Sequence, residues 1–208
     1  GEYYGAGDTN QLSNGGEQIV LRNALGVDIR RFTYDDDPDW PTSPDGGGYS
    51  LVLIAPESNP PHGDPFSWRP ATVAGGNPGT SDAASPFTGD PDLDGDADGI
   101  NALLEHAFGT SDSSPGPDDS HALGIGVFDD GAGTLREYLT ISFRRNLAAD
   151  DLIFVVQIGT DLIAWSILDT AYLSAVHNGD GTETVTYRST TPLGAIPREF
   201  IRLRVHTR

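Results

Sequence analysis

Between Asp94 and Glu105 the chain reads Asp94-Gly95-Asp96-Ala97-Asp98-Gly99-Ile100-Asn101-Ala102-Leu103-Leu104-Glu105. Oxygen-bearing side chains thus fall on positions 1, 3, 5 and 12 of a twelve-residue loop, with a glycine at position 6, the spacing of a calcium loop. Four carboxylates this close repel one another unless a cation sits among them. A chain that brings them together therefore commits to a tight turn around an ion, followed by a helix. The expected ligands are the side chains of Asp94, Asp96 and Asp98, the backbone carbonyl of Ile100, and both carboxylate oxygens of Glu105. Ala102, at position 9, offers no ligand, so a water is expected there. Asp90 and Asp92 continue the alternation upstream, either as part of this site or of a second one, or as a solvated approach segment. The plainer reading of the whole stretch is an acidic linker.

Cysteine is absent, which removes disulfides, thiolate metal sites and cysteine nucleophiles, and leaves Ca2+ as the expected staple. All twelve basic residues are arginine, so lysine Schiff bases and phosphate-loop lysines are excluded. Against 31 acidic residues they give a net charge of -19, a field that repels phosphate backbones and anionic lipid. Nucleic acid is therefore not an expected partner. No apolar run approaches the ~20 residues of a membrane helix, and no membrane insertion is expected. With neither a methionine nor a signal peptide in it, the sequence reads as a processed or excised piece. A loop of this kind belongs where calcium is abundant, which predicts an extracellular or cell-surface location.

Turn residues divide the chain into three expected units: residues 1–80, 81–120 and 121–208. In the first, Gln18 to Arg22, Asp28 to Tyr34 and Tyr49 to Ala55 read as short strands with one buried face, separated by loops at residues 35–41 and 44–48. The acidic triplet Asp35-Asp36-Asp37 reads as a solvated turn or as a cation holder. In the second, Ile100, Leu103, Leu104 and Phe108 form one stripe of a short helix stopped by Gly109. So short a helix has to pack on a neighbour. His106 reads as a rim or core histidine rather than a ligand. In the third, Leu139, Ile141 and Phe143 alternate with polar residues. Leu152 to Ile158, Glu183 to Arg188 and Glu199 to His206 follow the same period, and Asn178-Gly179-Asp180-Gly181 carries hairpin chemistry. Six to eight strands are expected there.

The succession Gly16-Glu17-Gln18-Ile19-Val20-Leu21, Phe32-Thr33-Tyr34-Asp35-Asp36, Trp40-Pro41, Asp45-Gly46-Gly47-Gly48-Tyr49-Ser50-Leu51, Ser67-Trp68-Arg69 and Gly75-Gly76-Asn77-Pro78-Gly79 resembles the later half of a lamin tail domain. That resemblance implies an immunoglobulin-like β-sandwich, used in bacteria as a non-catalytic module of secreted and surface proteins. Its opening strands have no counterpart here, so the edges it leaves open call for strands from upstream or from another chain. Residues 96–110 resemble dockerin-like or thrombospondin type 3-like calcium repeats. With one loop rather than two, cohesin docking is not implied. Leu139 to Arg145, Asp161 to Trp165, the Asn178 turn and Phe200 to Val205 resemble a C-terminal β-sandwich of large secreted bacterial proteins.

The fold class expected is thus mostly β, with two immunoglobulin-like sandwiches joined by a calcium-binding loop and helix. No His-Glu-x-x-His pair, Gly-x-Ser-x-Gly elbow or phosphate loop is present, and no isolated acid/base pair stands out, so an enzyme is not expected. Two functions follow from different classes. One is a structural module of a fibre or coat that associates with itself or accepts a strand from a neighbour. The other is a glycan- or polymer-binding accessory region using Trp165, Tyr187 or Trp68, although such aromatics in a small sandwich more often belong to the core.

Overall fold

The structure is a computed structural model that describes residues 12–13, 15–37, 39–116 and 120–208. The chain is mostly β, 40% strand and 7% helix. Residues 1–11, 14 and 117–119 of the expected units, and Pro38 of the expected acidic loop, lie outside the described residues.

β1 (Glu17–Arg22) and β2 (Asp28–Tyr34) form an antiparallel hairpin. Its turn is set by Asn23, whose side-chain oxygen accepts the N–H groups of Leu25 and Val27 at 2.9 and 3.0 Å, and by Gly26 at φ 78°. β3 (Leu51–Leu53) pairs with β4 (Trp68–Pro70), giving a second two-stranded ribbon. Two-stranded ribbons are marginal in water. Aromatic packing joins the two: Phe32 of β2 stacks on Trp68 of β4 with ring centroids 5.7 Å apart, and His62 and Trp40 close on the same indole. The Trp68 indole N–H donates to the His62 carbonyl at 2.8 Å.

Seven residues, Ala102–Phe108, form α1. Asn101 caps it by accepting the Leu104 N–H at 3.0 Å, and Gly109 ends it at φ 73°. Six strands follow: β5 (His121–Asp129), β6 (Leu135–Asn146), β7 (Leu152–Gly159), β8 (Thr170–His177), β9 (Thr182–Pro192) and β10 (Phe200–Thr207). They make two layers, a four-stranded sheet in the order β5-β6-β9-β8 and a two-stranded sheet of β7 and β10. Alternation along β6 puts Ile141 and Phe143 into the space between the layers. There they meet Val185 of β9, Leu152, Val156 and Ile158 of β7, and Ile201 of β10. Ala107 and Phe108 of α1 join the same cluster, which is where the short helix finds the neighbour it requires.

The strand expectations in the last third are met at β6, β7, β9 and β10, and six strands lie within the range expected. β5 and β8 carry weaker signals. Gly124 and Gly126, on the face opposite Leu123 and Ile125, lower the strand propensity of β5, and β8 reads Thr-Ala-Tyr-Leu-Ser-Ala-Val-His, rich in small residues. Pairing against β6 and β9 makes them strands, a tertiary effect.

The linker after the N-terminal ribbons, and Ala71 at the end of β4, are tied to this core by polar contacts. Ala84 N–H donates to the Ala148 carbonyl at 2.8 Å, and Phe87 N–H to the Asp151 carboxylate at 2.8 Å. His177 accepts the Gly179 N–H at Nδ1, so its Nε2 carries the proton and donates to the Ala71 carbonyl at 3.2 Å. Its ring lies 3.9 Å from that of Tyr49.

Candidate metal centre

The acidic loop is folded by its own backbone. Asp94 Oδ2 accepts the Gly99 N–H at 3.1 Å, Asp96 Oδ1 the Asp98 N–H at 3.1 Å, and Asp98 Oδ1 the Ile100 N–H at 2.9 Å. Each aspartate spends one oxygen on the turn. Gly99 takes φ 94°, which a side chain disfavours, and Ala97 takes φ 63°. Ala102 N–H donates to the Leu93 carbonyl at 2.7 Å and draws the loop's two ends together. Ligand atoms of Asp94, Asp96 and Asp98 come within 4.8 Å of one another.

Glu105 does not belong to that tight trio, but its position is the most telling in the molecule. It is 1% exposed, and neither carboxylate oxygen has a hydrogen-bond partner. Asp96 Oδ2 and Thr110 Oγ1 are also buried without partners. These four atoms are the whole set of such side-chain atoms among the described residues, and all belong to this loop, its helix or Thr110 just beyond the helix end. Burial pushes the Glu105 carboxyl above its ordinary range. The nearby Thr110 hydroxyl opposes that rise, while the negative charges of Asp96, Asp112 and Asp98 add to it. A buried carboxylate facing three others, with no donor on it, is costly to charge unless a cation completes it. The donor set is all oxygen, the set a hard divalent cation takes. The donor types therefore suit such an ion: Asp94, Asp96 and Asp98 converge, and Glu105 is buried outside that trio with both oxygens free.

Ile100 lies at the loop exit, half-buried against the core cluster. Asp90 and Asp92 stand apart from the trio: both are exposed, and Asp90 Oδ1 accepts the Asp92 N–H at 3.1 Å in a local turn.

Asp112 was not anticipated from the sequence. It lies beyond the helix, outside the twelve-residue frame, yet its Oδ1 accepts the Gly95 N–H at 2.7 Å and its charge acts on Glu105. A Cβ on Gly95 would stand 2.5 Å from the Asp112 carbonyl oxygen, so only glycine permits this return. Gly116 N–H donates to Asp98 Oδ2 at 3.0 Å, a second contact from the same returning segment. No local sequence signal announced it: Gly109 ends the helix but does not fix where the chain goes next.

His106, on α1, is turned to Asp151 with Nε2 3.1 Å from Oδ1. The second acidic group, Asp35 to Asp37, also brings its oxygens within 4.8 Å. Asp35 Oδ1 accepts the Asp36 and Asp37 N–H groups at 2.8 and 3.3 Å, as a turn does, and no buried orphan atom lies among the three residues. Trp165 packs outside the core cluster. Arg202 lies 3.8 Å over its ring, and a Cβ on Gly159 would come 2.8 Å from the Ala164 carbonyl oxygen and 3.2 Å from the indole, which is why that strand ends in glycine. Tyr187 packs against the core.

No family model, characterised protein or solved structure matches this chain.

Proposed function

We propose that this chain is a non-catalytic structural module of a secreted or cell-surface bacterial protein, a building block of an extracellular fibre or coat, and that Ca2+ at the Asp94–Glu105 loop rigidifies it. The observation that carries the reading is Glu105, fully buried with both oxygens unpartnered beside the aspartate trio. A bound calcium ion supplies the positive charge that makes this burial favourable. Asp96 and Asp98 bind through the oxygens their turns leave over, and Asp112 holds Gly95 and lends negative charge to the shell.

Rigidity follows from the loop's place in the chain. It runs into α1, and α1 buries Ala107 and Phe108 in the core between the two strand layers. Fixing the loop fixes the angle at which the chain enters that core. The lamin-tail resemblance of residues 16–79 and the calcium-repeat resemblance of residues 96–110 support the same reading, with immunoglobulin-like sandwiches on either side of the loop. The glycan-binding reading has less support, because Arg202 covers the Trp165 ring and the Trp68 indole is stacked on Phe32.

The test is calorimetric titration of the chelator-stripped chain with Ca2+, alongside thermal melting with and without the ion. Saturable binding with a raised melting temperature is expected, and both are to disappear in Asp96→Asn with Glu105→Gln. A metal-stripped protein that neither binds Ca2+ nor melts differently in its presence overturns the proposal.

A further inference from the structure

The two layers of the core are unequal, and the difference leaves one apolar face bare. β10 contacts β6 and β7 contacts β8, while β5 lies at the end of the four-stranded sheet, next to β6. Leu123 pairs directly with Ile141, and Ile125 with Leu139. Paired residues share a face of the sheet, so Leu123, Ile125 and, by alternation, Val127 point to the core side. Yet they are 63%, 63% and 58% exposed. Among the described residues β5 pairs with β6 alone, so it offers an open edge beside this face.

A second bare apolar surface lies elsewhere in the same chain. In the β1–β2 hairpin every residue from Leu21 to Ile29 is exposed, with Leu25, Val27 and Ile29 at alternate positions and Leu25 88% exposed. The hairpin base is anchored through Phe32 on Trp68, so the tip is held out from the body rather than packed on it.

Charge separates the two surfaces. In a chain of net charge -19, residues 17–34 carry three arginines against Glu17 and Asp28. Arg22 and Arg31 both pair with Asp28, while Arg30 meets the Asn59 side chain at 2.5 Å and no carboxylate among the described residues. Residues 121–137 carry Asp129, Asp130 and Glu137 against a single Arg136, which pairs with Asp130. The hairpin is thus net positive and the bare face net negative, both apolar at their centres.

We propose that these surfaces are the two halves of one interface: the β1–β2 tip of one copy seats on the open β5 face of the next. It rests on the structural reading above and supplies its mode of assembly. Different patches permit a head-to-tail contact that leaves one half free at each end; repeated, it propagates into a fibre, and growth beyond a dimer distinguishes it from reciprocal two-fold closure.

The test uses the whole chain in Ca2+ and follows its mass by sedimentation velocity and light scattering as concentration rises. Wild type is expected to grow beyond a dimer. Val27→Asp in the tip and Ile125→Asp in the face are each expected to stay monomeric, with at least a tenfold loss of association. Mixed together they are expected to form a heterodimer and stop, because each retains one good half; this also shows that both variants fold. A wild type that stays monomeric at millimolar concentration overturns the proposal. So does a tip variant that assembles like wild type, which would point to β5 pairing with itself. Melting in Ca2+ keeps the two ideas apart: monomers that still melt higher with the ion sink only the contact, whereas loss of the calcium response sinks the parent reading.

Discussion

Arg69 donates to Asp150 at 2.6 Å across 81 residues of sequence, and the two side chains are 3% and 11% exposed. The same guanidinium reaches Asp82 at 2.5 Å, and Asp82 in turn accepts the Thr72 N–H and hydroxyl at 3.0 and 2.7 Å. One planar cation therefore fastens the β3–β4 ribbon, the linker and the β6–β7 turn. Removing it strands two carboxylates where water does not reach. Arg69→Ala is expected to cost about 3–5 kcal/mol in urea unfolding, and Arg69→Lys most of that, since an ammonium cannot span both partners.

Acid should attack the same junction. Burial by itself would raise the Asp82 carboxyl, but hydrogen bonds from Arg69 and Thr72 outweigh it and hold the group below its ordinary 3.8. A depressed carboxylate stabilises the fold above its unfolded value and loses that contribution as pH falls through the folded one. Melting temperature should accordingly fall on acidification below about pH 4, and Asp82→Asn should flatten that fall while lowering stability at pH 7.

Glu105 has the opposite sign. Its carboxyl is raised above 4.5 by burial and by Asp96, Asp112 and Asp98, so its contribution is present below pH 4.5 and is lost as pH climbs through the folded value. Chelator-treated protein should then be less stable at pH 7 than near pH 4.5, with Ca2+ reversing the loss. Glu105→Gln should melt higher than wild type without calcium and lower with it. Parallel shifts of the two proteins would contradict the assignment.

Asp112 supports the loop from outside its twelve residues. Asp112→Ala is expected to weaken calcium binding by about tenfold, the effect of losing an orienting outer contact. Gly95→Ala should do likewise by steric means, because its Cβ meets the Asp112 carbonyl. Titration calorimetry of both variants checks this.

Phe143 is 2% exposed and stacks on Phe154 at 5.9 Å and Tyr187 at 6.4 Å, joining both layers of the core. Phe143→Ala should cost about 3–5 kcal/mol in chemical denaturation. Arg136, exposed near the other end of the same strand, should tolerate alanine within about 0.5 kcal/mol.

The acidic loop was legible because its information is local. Each of Asp94, Asp96 and Asp98 bonds an N–H within five residues of itself, Asn101 caps the helix three residues on, and Gly109 stops it. Short-range geometry of this kind follows from residue type and spacing alone. β6, β7, β9 and β10 were legible for a similar reason, since period-two alternation marks a half-buried strand whatever its partner. Arg69 was not legible, because nothing in Trp68-Arg69-Pro70 says that Asp82 and Asp150 will come to it. Nor did the alternation of Leu123, Ile125 and Val127 disclose that these side chains would stay exposed.

By itself, then, the order of residues determined a β-rich chain with an oxygen-lined turn ahead of a capped helix, because those features depend on neighbours a few positions apart. Tertiary structure alone decided that Glu105 is sealed from water, that Asp112 returns to the loop, and that one apolar face stays bare. Each of these depends on which distant segments pack together, and burial is a property of that packing rather than of any residue in it.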